Sequence, residues 1–411
     1  MAAVAGPLAG VRILDLSDER GIFAGKLLAD LGADVVRVEP PGGDPLRRRG
    51  PFIERDAGDD GGTEDAKDAG HAEPVSLWHA FYASNRRPVT IDAASEAGRE
   101  QLRGLCLEAD AVLDCGTLAA AGLSIEELVS AKPDLVAVDV SSFGPDGPWR
   151  DLRAPDLVAS ALGGFAATTG DADTQPLKAF GDMTRVTAGL YAAIAILAGL
   201  RHARERGEGQ RIDVPVHTAV ASCLEHVLMF FWHQEGRVLK RQGSLHWSGA
   251  YEVMPVPGGH IMVTITPSLE RNLVWLVEDG AHQDLFDEQY QQPENLALLI
   301  PRIMQVFREW VATKELPSFF FDAQERHYPY GWVLTPDEVA GNPHLAERDW
   351  WSRYPAGQEA DPEAALGPGT PYQFSDTPWV PPGPAAETVT GTVDGSGRTV
   401  EAMFDEIGWG P

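Results

Sequence analysis

An α/β fold with a parallel central sheet and a second, smaller α+β domain is the class this sequence predicts, and three stretches at its start carry the prediction. Val11 to Leu16 is a short apolar run of strand length, Ala24 to Leu31 has helical spacing, and Ala33 to Glu39 is a second strand-like run. Strand, helix and strand in that order make a βαβ opening, whose two strands must pair in parallel.

The rhythm continues along the chain. Ser95 is placed to cap a helix reaching Ala109, Ala111 to Asp114 reads as a strand, Ser124 to Ala131 as a helix, and Leu135 to Val140 as a strand. Arg185 to His202, rich in Ala, Leu and Ile, has the character of a buried helix, and the polar turn RERGEGQ leads into a strand at Arg211 to Val216. A further helix extends to about Gln234. The pattern then changes, because Tyr251 to Ile265 holds two strand-like runs around Pro257-Gly258-Gly259, a hairpin signal. These readings divide the chain into a large α/β domain at 1–220, a small α+β domain at 221–330 and a C-terminal segment, 331–411, returning to the large domain. Residues 54–74 are acidic, rich in Gly and without periodicity, as expected of an exposed insertion. The Pro- and Gly-rich 356–397 should wander over the surface before a short closing helix, Thr399 to Ile407.

Composition narrows function. Among 411 residues, 33 basic against 61 acidic side chains leave a net charge of −28, which repels nucleic acid and anionic membrane surfaces. Cys106, Cys115 and Cys223 contain no CxxC pair, which fits packed thiols in a reducing cytoplasm and no metal clip. The opening residues lack a basic leader, and the apolar run Val186 to Leu200 stops at Arg201, short of the roughly 18 residues of a spanning helix. The expectation is a soluble cytoplasmic protein with no metal and no permanently bound cofactor.

Two basic spots invite an anion. Gly42-Gly43-Asp44 is followed by Arg47, Arg48 and Arg49, and Asn85-Arg86-Arg87-Pro88 precedes a strand-like run. Guanidinium forks suit phosphate, although a solvated turn or surface ion pairing would use the same residues. GIFAGK at Gly21 to Lys26 is not a phosphate loop, because three residues instead of four separate its glycines and Leu27 follows the lysine. His226, beside Cys223 and Leu224, reads as a structural histidine, and Phe230, Phe231 and Trp232 read as core.

Taken together and in order, PLAGVRILDLS, LLADLGADVVRVEPPGGDPLR, NRRPVTID, SSFGPDGPWRDLRAPDLVASALGGFAATTG and RERGEGQRIDV resemble the family III CoA-transferases, whose superfamily includes formyl-CoA and carnitine CoA-transferases and the alpha-methylacyl-CoA racemases. YPYGWVLTPDEVAGNPHLAERDWW is a weaker match further on. The resemblance implies a Rossmann-like large domain with the small domain inserted, and an interlocked homodimer. It implies acyl-CoA and a small carboxylic acid as substrates. CoA would be held by Asn85, Arg86, Arg87 and Arg153, with Pro155 and Asp156 near the thioester. The arginine that many relatives carry after the strand matched to Ala111 to Asp114 is absent here.

The same resemblance implies an Asp nucleophile that forms a mixed anhydride and then an aspartyl-CoA thioester. Asp182, in Phe180-Gly181-Asp182-Met183, is the candidate. Spacing opposes it, since counting four back from Gly189 reaches Arg185, and an Asp at a helix start is also a common cap. Both readings of Asp182 stay open. The racemase histidine would fall at Pro155, which cannot accept a proton. Two alternatives to transfer remain: alpha-proton chemistry with Asp156 as base, and a non-catalytic CoA-binding subunit working with an active relative.

Overall fold

The computed structural model describes residues 5–53, 74–246, 249–265, 269–290, 292–354, 366–382, 405 and 407–409. The chain forms two compact units. One comprises residues 1–163, 180–223 and 349–411, and the other 164–179 and 224–348. The small unit therefore ends later than residue 330 and also takes in 164–179, a segment that sequence patterning had left with the large domain.

The large unit is built on six parallel strands in the order Arg86–Thr90, Asp34–Glu39, Arg12–Leu16, Ala111–Asp114, Val136–Asp139, Gln210–Asp213. Chain order runs outward from the Arg12–Leu16 strand in one direction, then resumes beside it in the other. That reversal is the topological switch point of a doubly wound sheet, outside whose strand C-termini ligands bind. Ile13, Leu14, Val35, Val36, Val112, Leu113, Val136 and Val138 are all buried, as in a parallel sheet covered on both faces. On one side lies the core of Leu102, Leu105, Cys106 and Leu128, closed by Trp409. Ser95 does cap its helix, Glu96–Glu108, by accepting the Gly98 N–H at 3.0 Å.

The helix Met183–Arg206 covers the sheet with small residues, Ala188, Gly189, Ala192, Ala193 and Gly199. A Cβ added at Gly189 would lie 2.8 Å from Phe23 Cβ, and one at Gly199 2.7 Å from Val136 Cγ1. Both glycines thus permit close approach of helix to neighbour. By length and composition this helix would suffice to cross a membrane; here its inward face packs on the sheet and on the helix Ile22–Asp30.

The small unit carries the expected hairpin, Tyr251–Val256 antiparallel to Gly259–Thr264, joined by a third strand, Gly331–Val333. Gly258 sits at φ 90°, the left-handed turn geometry that glycine permits. Trp275, Phe307, Trp310 and Phe319 fill its core. The single helix expected up to Gln234 is two, Val216–Ser222 and Glu225–His233, and they belong to different units. Phe231 and Trp232 are corrected from core to exposed residues, Trp232 at 74%, and His226 is exposed and packs on Phe230. Residues 54–73, and the proposed closing helix apart from Asp405 and Ile407–Gly408, lie outside the described residues.

Candidate active site

The loops leaving two sheet strands, Arg12–Leu16 and Val136–Asp139, wall a cleft of about 620 Å³. Asp18, Glu19 and Arg20 form one side, Ser141, Ser142 and Arg150 to Pro155 the other. It lies at the carboxyl ends of the strands and spans the switch point. Arg153 is exposed at its wall and forms no ion pair with any described residue, so its guanidinium is available to an anion. Arg20 is not: it bonds both oxygens of Asp18 and the Cys115 carbonyl, and that carboxylate partner raises its already high pKa against the desolvation of burial.

Arg185 and Glu19 also line an adjoining recess with Asp182, Trp78 and Tyr82. The recess holds about 10 Å³, room for roughly one water. Around it two carboxylates and two guanidinium groups close a ring. Arg49 bonds Asp182 through Nη2 and Glu19 through Nη1 at 3.3 Å; Arg185 bonds Glu19 through Nη2 and Asp182 through Nη1 at 3.4 Å. The Arg49 guanidinium also stacks 4.4 Å from the Trp78 ring centre. Burial raises the Tyr82 hydroxyl pKa, and the nearby Asp182 charge adds to the shift.

Asp182 occupies the N-cap position of the helix Met183–Arg206, yet its side chain makes no capping bond. The cap comes from Asp156, whose Oδ1 accepts the Thr184 N–H at 3.2 Å and its hydroxyl at 2.5 Å. Asp156 is 6% exposed, at the first turn of Asp156–Leu162. Asp156, expected as a base or a ligand contact, has its carboxylate buried and bonded to Thr184, while its neighbours Ala154 and Pro155 line the cleft. The fold brings together Asp182, the candidate from the Gly-Asp resemblance, and Arg185, the position that spacing reached.

Asn85, Arg86 and Arg87, expected to hold CoA, are engaged in internal pairs. Arg86 is 3% exposed and bonds Asp15 and the carbonyls of Ile22 and Tyr82. Arg87 bonds Asp34 and the Ile407 carbonyl, and Asn85 donates to Asp30 at 2.8 Å. None of the three lines the cleft. The reason is electrostatic: the buried Asp15 carboxylate needs a buried counter-charge, which Arg86 supplies, and Arg87 pairs with the partly exposed Asp34. Arg47 likewise pairs with Glu39.

Glu39, Asp44 and His79 bring possible metal-ligand atoms within 4.8 Å of one another. Arg37, though, donates to Asp44 at 2.6 Å and 2.8 Å, and with the Asp44–His79 contact this holds the carboxyl well below its usual range despite burial. The cluster is a neutralised ion network. Cys106 is buried and its thiol pushed up to about 12, Cys115 is pushed higher than an ordinary thiol by burial, and Cys223 is exposed. Sequence reasoning missed Glu19, Trp78, Tyr82 and the capping role of Asp156. The signal for Glu19 was present, as the middle of Asp18-Glu19-Arg20 directly after the first strand.

The pattern of CoA-transferase family III matches residues 8–387. The succinyl-CoA:(R)-benzylsuccinate CoA-transferase subunit BbsE of Thauera aromatica is 30% identical over 384 residues, covering 90% of this chain and 88% of its own. The succinate–glutarate CoA-transferase of Agrobacterium fabrum is 30% identical over 388 residues, with 90% of each chain covered. A CaiB/BaiF family protein from Brucella suis superposes with a TM-score of 0.76 at 26% identity, covering 93% of this chain and 97% of that one. With the doubly wound sheet and the cleft at its switch point, these matches over nearly the whole length establish that this chain belongs to CoA-transferase family III and is an acyl-CoA transferase.

Proposed function

We propose that the chain moves CoA from an acyl-CoA thioester to a carboxylic acid with Asp182 as the nucleophile. One observation carries this reading: the helix at Met183 is capped by Asp156, which leaves the Asp182 carboxylate directed into the recess beside the cleft. The carboxylate attacks the thioester carbonyl, forming a mixed anhydride and expelling CoA thiolate. The thiolate attacks the aspartyl carbonyl, which releases the donor acid and leaves an aspartyl-CoA thioester. The acceptor carboxylate repeats the two steps in reverse, restoring Asp182.

Glu19 and Arg185 line both recess and cleft. A thioester entering by the cleft therefore meets Arg185 before Asp182, and displacement of that guanidinium exposes the nucleophile and places a cation where the oxyanion develops. Arg153, on the cleft wall, is assigned to a CoA phosphate. A homodimer is part of the proposal, supported by the outward apolar residues Leu190, Tyr191 and Ile194 on the helix Met183–Arg206; light scattering of the purified chain checks it.

The test is chemical trapping. Incubation of the full chain with an acyl-CoA followed by hydroxylamine should leave a hydroxamate on the peptide containing Asp182. A modified peptide elsewhere, or none during active turnover, would overturn the assignment.

A further inference from the structure

The recess at Asp182 shares Trp78 and Tyr82 with a second concavity of about 280 Å³, walled chiefly by Trp78, Phe81, Tyr82, Tyr354, Leu366 and Pro368. An apolar cavity of about 150 Å³ accommodates benzene, so this groove has space for a ring with a short linker. Its aromatic walls are fixed at angles that offer both faces and edges. Trp78 and Tyr82 lie 4.4 Å apart, Phe81 meets Tyr82 at 87°, and Phe81 meets Tyr354 at 5.1 Å and 53°.

No charged side chain is among the residues that line it, and its Tyr354 hydroxyl is satisfied from within. The Tyr354 hydroxyl donates to the Pro368 carbonyl at 2.6 Å and accepts from Lys26 Nζ at 3.3 Å. Lys26 is buried, ion-paired with Asp30 at 2.6 Å, and packed against the Phe81 and Tyr354 rings. A carboxylate in the groove would find no uncommitted cation, only the neutral donors of Trp78 and Tyr82. At the recess the charges also balance, since Arg49 and Arg185 face Glu19 and Asp182. Before Asp182 is acylated, a second carboxylate on the incoming substrate would add an anion beside Glu19 and Asp182.

We infer that the acid exchanged at Asp182 is a monocarboxylic acid with an apolar arm, aryl or alkyl, and that this arm lies in the groove beside Trp78. The assignment rests on the transfer reading of Asp182. Trp78 and Tyr82 line both the groove and the recess at Asp182, and the assignment has an acyl chain at Asp182 pass between these two rings. Each methylene buried there should raise kcat/KM about fourfold.

Identity exchange tests this without knowledge of the natural donor. The purified full chain is given acyl-CoA and its isotopically labelled free acid as acetyl, butyryl, succinyl and 3-phenylpropionyl pairs. The expected result is a kcat/KM at least tenfold higher for 3-phenylpropionyl than for acetyl, with succinyl below butyryl. Leu366→Trp, at a residue already half exposed, should lower the 3-phenylpropionyl to acetyl ratio at least fivefold by filling the groove. Exchange that is flat or falls with acyl size, or a succinyl pair faster than 3-phenylpropionyl, would overturn the groove assignment and leave the transfer reading standing. No exchange with any pair would overturn both. Should the variant fail to fold, the wild-type series decides alone.

Discussion

Oδ1 of Asp156 accepts both the backbone N–H and the hydroxyl of Thr184, so a carboxylate 28 residues upstream closes the end of the helix that carries Asp182. Two acids near one helix start thus divide the work: Asp156 holds the helix, and Asp182 faces the recess. Replacing Asp156 with Ala should lower stability by about 1–3 kcal/mol, because a buried hydrogen-bonded group is lost. Asp156→Asn should retain most of it through the remaining carbonyl oxygen. Chemical denaturation measures both, and an unchanged midpoint in the alanine variant would contradict the capping role.

Asp182→Asn should reduce CoA exchange by at least about 10³-fold, as the proposed role of covalent nucleophile requires. Since Asp182 does not cap its helix, the melting temperature and CoA binding should stay close to wild type. Calorimetric titration with CoA separates the two effects.

Arg86 and Arg153 should behave oppositely. Arg86→Ala leaves Asp15 with one arginine partner in place of two in the sheet core, which should cost about 3–5 kcal/mol. Arg153→Ala should leave the denaturation midpoint unchanged and weaken CoA binding about tenfold or more through a lost charge-assisted contact. A weakened CoA affinity in a folded Arg86 variant with unaltered stability would reinstate it as a ligand residue.

His79 should impose a pH dependence on stability. Burial lowers its pKa, outweighing the nearby Asp44 charge, while Arg37 and Arg47 act in the same direction as burial. The folded value lies below the unfolded one of roughly 6.5. As pH falls through that unfolded value, the unfolded chain takes up the proton first, so stability present at pH 7.5 is lost toward pH 5.5. His79→Phe should flatten this decline, and denaturation at the two pH values measures the difference.

The sheet was legible because its strands are short apolar runs with helices between them, and period alone locates Arg12–Leu16, Asp34–Glu39 and Val136–Asp139 to within a residue or two. Asp182 was legible as a residue, but its role was not. Whether an Asp at a helix start caps that helix depends on what else reaches the same N–H groups, and Asp156 comes from a different segment. Arg86 and Arg87 misled for a related reason. Arg87 pairs with Asp34 on the adjacent strand and Arg86 with Asp15 one strand further on, so local sequence shows two cations and conceals their anions.

Gly189 lies seven residues, about two turns and roughly 10 Å, along the same helix from Asp182. Its missing side chain lets Phe23 sit against the helix backbone at a distance that any Cβ would forbid. The hydrogen at that position therefore works as a shim under a lever. A methyl group there would tilt the rod outward, and the far end would carry the Asp182 carboxylate away from Glu19 and Arg49. The alignment of the Asp182 carboxylate is set partly by an atom two helical turns away.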